Sequence, residues 1–108
     1  MEMARYIYSI LKSQLSIMWS WGFHNPRSLP NNEGIIFKVQ GFKHKGYVSV
    51  VYNEGKDLFD VILYNHPMAT KSKTEGVYFD MLVEVIDGLV EKTTDYESRV
   101  KQEYSYMF

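Results

Sequence analysis

A chain of 108 residues with 45% hydrophobic and 16% aromatic side chains has the size of one domain and enough apolar material for a real core, which argues against disorder except at the ends. Its net charge of −1 leaves no basic surplus for holding duplex nucleic acid through its phosphates, so such binding would need a local patch. With no cysteine present, disulfides, thiol nucleophiles, thiolate-bound zinc and iron–sulfur clusters are excluded together.

The first residues carry Glu2 and Arg5 and no long apolar stretch, so no secretory signal is expected. No run approaches the roughly 18 apolar residues of a spanning helix. The expectation is a cytoplasmic protein with no membrane contact and no cofactor.

In residues 4–18 the apolar side chains Ile7, Ile10, Leu11, Leu15 and Met18 recur at helical spacing and predict one amphipathic helix. It should end near residues 19–22, where Gly22 suits a C-terminal cap. Residues 23–33 contain Pro26, Pro30, Asn25, Asn31 and Asn32 and read as a loop.

Three strands are expected at residues 34–42, 46–52 and 57–64. Ile35, Phe37 and Val39 alternate with Ile36, Lys38 and Gln40; Val48, Val50 and Tyr52 with Tyr47, Ser49 and Val51; Phe59, Val61 and Leu63 with Leu58, Asp60, Ile62 and Tyr64. One face is strongly apolar and the other mixed, as in an antiparallel sheet covered on one side. The links Lys43-His44-Lys45 and Asn53-Glu54-Gly55-Lys56 can close hairpins but cannot cross between parallel strands.

Residues 65–74 read as a second loop. Ser72-Lys73-Thr74-Glu75 fits a capping box, which predicts a helix over 77–91. That helix is apolar nearly all round, apart from a stripe of Asp80, Glu84, Asp87 and Glu91, most simply a solvated face. The expected domain covers residues 1–92, followed by a tail at 93–108. The predicted architecture is α+β in the order α-β-β-β-α, with a three-stranded antiparallel sheet and both helices on one face.

Candidate sites are few. His24, His44 and His66 fall in predicted loops and share no ligand spacing, so no metal or catalytic constellation is expected. Trp19, Trp21, Phe23 and His24 cluster in one segment. Such a cluster commonly closes a core, and it can also serve as a platform for bases, a sugar or a partner. Lys43, His44 and Lys45 share a hairpin loop, and Lys71 and Lys73 are expected at the last helix start, where an anion would be favoured. The double-stranded-RNA-binding domain has the same element order and uses a hairpin loop and a basic helix start. Here the similarity is one of topology, and Asp80, Glu84 and Asp87 oppose it.

The segments Gly34-Ile35-Ile36-Phe37, Val48-Ser49-Val50-Val51-Tyr52-Asn53, Asp57-Leu58-Phe59-Asp60-Val61 and Gly76-Val77-Tyr78-Phe79-Asp80-Met81-Leu82 resemble a family of small uncharacterised proteins of phage and other mobile genetic elements. The resemblance covers about residues 7–92. It implies an accessory or interaction protein and carries no activity with it. For the shared acids, Asp57 is expected to hold turn N–H groups and Asp80 to sit in the first turn of the last helix.

The outer sheet face would carry Ile36, Tyr47, Val51, Leu58, Ile62 and Tyr64, more apolar than a wet face tolerates. The leading expectation is therefore a non-catalytic module that forms a homodimer, or binds another protein, through that face or the sheet edge. The alternative is a nucleic-acid-binding accessory protein using Lys43, His44, Lys45, Lys71 and Lys73, with Trp21.

Overall fold

The computed structural model describes residues 2–65 and 68–91; His66 and the expected tail at 93–108 lie outside them. The helix expected over 4–18 is two helices, α1 (Met3–Lys12) and α2 (Leu15–Ser20). Between them Gln14 leaves the helical region at φ −126°, ψ 66°. The Ser13 hydroxyl there donates back to the Ile10 carbonyl at 2.6 Å, a local bond that competes with helix continuation. Apolar spacing alone cannot register such a break, because Leu11, Leu15 and Met18 keep their rhythm across it. Gly22 then takes the left-handed conformation expected of a cap, at φ 68°.

The loop expected at 23–33 contains strand β1 (His24–Ser28) and a 3-10 turn, Pro30–Asn32. β1 pairs antiparallel with β2 (Gly34–Gln40), with an irregular register between His24 and Arg27 where Asn25 is left-handed at φ 52°. Four of its five residues are exposed, so no apolar alternation marks it in sequence.

β2, β3 (Lys45–Asn53) and β4 (Leu58–Asn65) are the three expected strands, joined as antiparallel hairpins. A fifth strand, β5 (Ala69–Val77), completes a meander of order β1-β2-β3-β4-β5. The three-stranded sheet is thus corrected to five strands, while the α+β class stands. β5 also displaces the capping box: Ser72 and Thr74 lie in a strand opposite Leu63 and Val61, so Lys71 and Lys73 belong to an edge strand and not to a helix start. The last helix, α3 (Leu82–Val90), begins later than expected, after a 3-10 turn at Phe79–Met81 that holds Asp80.

All three helices contribute to one core with the inner sheet face. Ile7, Leu11, Met18, Leu82, Ile86 and Val90 pack with Ile35, Phe37, Val39, Val48, Val50, Phe59, Val61 and Leu63. Each such buried side chain stabilises the fold by roughly 1.5–3 kcal/mol. The acidic stripe of α3 is partly engaged in this assembly. Asp87 accepts the Trp21 indole N–H at 3.0 Å, and Glu91 accepts the Phe42 backbone N–H at 3.1 Å.

Candidate interaction surface

Strand register decides which side chains share the open side of the sheet. Its middle row runs Arg27, Ile36, Ser49, Ile62 and Lys73 across all five strands. The row toward the β2–β3 hairpin holds Lys38, Tyr47, Tyr64 and Thr70; on the other side Val51 faces Asp60. Leu58 stands at the end of β4, opposite Asn53. Ile36, Tyr47, Val51, Leu58, Ile62 and Tyr64 are therefore on one side, and all six are half-buried.

Ser49 at the centre is only 1% exposed although the described helices pack on the opposite side. Its taller neighbours shield it, and its hydroxyl donates to the Tyr64 phenol at 3.2 Å. Charge rims this apolar centre. The Lys38 ammonium stands 5.2 Å from the Tyr47 ring centroid, a cation–π distance. Lys73 pairs with Glu75 at 3.3 Å, and Asp60 accepts the Gly76 N–H at 3.3 Å.

The two sheet edges are built differently from the face. On β1, Pro26 has no N–H to donate and Asn25 interrupts the register. On β5 the register shifts twice and the exposed side chains include Lys71, Lys73 and Glu75. Proline, irregular register and charge are the usual devices that keep edges from pairing with other chains.

The aromatic segment divides. Trp21 is fully buried and Phe23 nearly so, its ring 4.6 Å from Phe37 and 5.7 Å from Tyr8. Trp19 is 58% exposed. His24 begins β1 and bonds the Gly22 carbonyl through Nδ1 at 2.6 Å.

The cationic hairpin is fastened to α3. The Lys43 backbone N–H donates to the Val90 carbonyl at 2.9 Å, and its ammonium donates to the Gly88 carbonyl. Gly41 permits the approach, since a Cβ there would collide with the Val90 carbonyl. Lys71 reaches across from β5 to the Lys43 carbonyl at 3.1 Å. His44 is buried; its Nε2–H donates to the Tyr47 carbonyl at 3.1 Å, while Nδ1 has no partner among the described residues. Burial holds His44 below the usual imidazole range, against the pull of that carbonyl bond and with help from the Lys71 charge. Lys45 lies on the open side, opposite Gln40.

Asp57 takes a role other than the expected one. It accepts the Tyr52 hydroxyl, which holds that phenol above its usual range, while Asn53 holds the turn N–H of Lys56 at 3.2 Å. Among the described residues no three His, Asp or Glu side chains converge as a metal site requires. No described helix is long and apolar enough to cross a membrane. Sequence reasoning did not place Arg27 on the face, because β1 carries no alternation that would reveal it. Comparisons with protein-family models, with curated proteins and with solved structures found no match.

Proposed function

We propose that this chain is a non-catalytic interaction module, an accessory protein of the kind found in phage and mobile genetic elements, that self-associates through the open face of its sheet. The observation that carries the reading is the single apolar surface made by Ile36, Tyr47, Val51, Ile62 and Tyr64 on the side away from the helices. Two such faces would stack as aligned sheets about 10 Å apart, crossing at roughly 30°. The blunted edges at β1 and β5 favour face over edge.

The nucleic-acid reading through Lys43, His44, Lys45, Lys71 and Lys73 has weaker support. Lys43 and Lys71 bond carbonyls, His44 is buried and Lys73 pairs with Glu75. Sedimentation equilibrium from low to high micromolar concentration tests the leading proposal. The expected result is a mass rising toward twice 12.7 kDa, with Ile62→Lys returning the chain to monomer at every concentration. A parent protein that stays monomeric at high micromolar concentration removes the proposal.

A further inference from the structure

The open sheet face is electrically lopsided. Its middle row, Arg27–Ile36–Ser49–Ile62–Lys73, divides it into two ends. Toward the β2–β3 hairpin stand Lys38 and, one row further out, Lys45. Toward the β3–β4 hairpin stands Asp60, opposite Val51, with Glu54 exposed in the turn just beyond Asn53. One end is therefore cationic and the other acidic.

The groups at both ends keep bonding capacity. The Lys38 ammonium stands 5.2 Å from the Tyr47 ring centroid, so it leans from β2 toward β3. Asp60 is half-buried, and one of its oxygens accepts the Gly76 N–H at 3.3 Å. No ion pair among the described residues involves Lys38, Lys45 or Asp60. The Tyr64 oxygen accepts the Ser49 hydroxyl at 3.2 Å, which leaves the phenol proton to donate elsewhere.

Two identical faces stacked by two-fold symmetry have two simple arrangements. In the first the axis runs along β3, and β2 of one copy covers β4 of the other. Cationic end then meets cationic end, Lys45 faces Lys45 on the axis itself, and Asp60 closes over Gly34, which has no side-chain donor. In the second the axis runs along the middle row. Each strand then covers its own counterpart, running the opposite way, and the two ends exchange. Asp60 and Tyr64 flank Ile62 on either side along β4, so the exchange sets the phenol of one copy against the carboxylate of the other. Lys38, leaning over β3, comes within one strand spacing of the same carboxylate, and Lys45 comes to Asn53 and the turn that holds Glu54. A tyrosine and an aspartate together bridge the roughly 10 Å between stacked sheets. Arg27 and Lys73 do not choose between the two, since like charges meet at the exposed ends of the row in either case. Asp60 chooses, because a carboxylate closed into an interface without a donor is costly.

We propose, resting on the self-association put forward above, that two copies pack with their strands antiparallel about a two-fold axis along the Arg27–Lys73 row, so that Tyr64 and Lys38 of each copy engage Asp60 of the other. Asp60, the one acid set among the apolar residues of this face, is then the residue that fixes how the copies dock.

The chain has no cysteine, so single replacements read the geometry directly. Arg27 and Lys73 are both exposed, on β1 and β5, four strand spacings or about 19 Å apart. With an ethylene-bridged bismaleimide, Arg27→Cys alone and Lys73→Cys alone are each expected to give a cross-linked dimer on a denaturing gel. The axis along β3 instead predicts that neither cross-links alone and that a mixture of the two does, which overturns the proposal. Cross-linking of Lys73→Cys alone, without Arg27→Cys, means pairing at one edge and also overturns it. In sedimentation equilibrium, Asp60→Lys should weaken self-association at least tenfold, and Lys38→Glu added in the same chain should restore most of it. Asp60→Asn keeps an acceptor for the Gly76 N–H and serves if Asp60→Lys does not fold; it should weaken the dimer several-fold. Absence of rescue in a chain that still dimerises overturns this arrangement and leaves the self-association itself standing. A parent chain that neither cross-links through either cysteine nor gains mass with concentration overturns both.

Discussion

The two faces of one sheet are built from the same strands and meet different fates. On the helix side, Phe37, Val48, Val50 and Val61 are fully buried in the core. On the open side, Ile36, Tyr47, Val51, Ile62 and Tyr64 stay half-buried, with Arg27, Lys38, Asp60 and Lys73 set among them. Both sets come from the same period-two alternation. The difference lies in what is laid over each face: three helices on one, none of the described helices on the other. Apolar burial stabilises in proportion to area taken from water, so the inner face dominates the stability of a single chain, and the half-buried outer face contributes less.

That contrast can be broken by matched truncations. Phe37→Ala removes a ring that touches Phe23 at 4.6 Å and should cost about 3–5 kcal/mol. Ile62→Ala, at the centre of the outer face, should cost under about 1 kcal/mol in dilute protein. Urea denaturation of both variants at low micromolar concentration decides. Equal losses would mean that the outer face is as well covered as the inner, and the contrast would fall.

How much of this was legible in sequence follows the same division. β2, β3 and β4 were visible because a covered face and an open face impose alternation on every residue. β1 and β5 were not, because edge strands have few core positions. His24–Ser28 buries no residue fully, and Ala69–Val77 buries only Val77. In β5, Ser72 and Glu75 stand at capping-box spacing, and that local pattern outweighed the strand propensity of Thr70, Thr74 and Val77. The six outer-face residues were legible from parity alone. The roles of Trp19 and Trp21 were not: they sit two residues apart, one exposed and one bonded to Asp87, and only the third dimension separates them.

His44 sharpens the contrast between buried and open sides through pH. The folded chain favours the neutral ring, because burial lowers its pKa and a proton on Nδ1 would find no acceptor among the described residues. The unfolded chain titrates near the ordinary value of about 6.5. The stability from this site is thus fully present above about pH 6.5 and is lost as pH falls through the lowered folded value, at no more than about 1.4 kcal/mol per pH unit. Urea midpoints between pH 7.5 and 4.5 should fall less steeply for His44→Gln than for the parent. Parallel curves would show that His44 is not held neutral by the fold.

The smallest expected effect separates the two lysines that flank His44. Lys43 faces the helix side and donates to the Gly88 carbonyl near the end of α3, where a cation also meets the negative end of the helix dipole. Lys45 faces the open side and lies exposed. Lys43→Ala should therefore cost about 0.3–1 kcal/mol of stability, and Lys45→Ala close to nothing. The measurement also bears on the nucleic-acid reading. If the loop lysines bind phosphates, both replacements should weaken retention of an oligonucleotide and flatten its salt dependence together. If Lys43 serves α3, the pair should differ in urea and behave alike on an oligonucleotide, with no retention by either. The same two variants thus tell whether a lysine in a hairpin loop is fastening the chain to itself or waiting for a ligand.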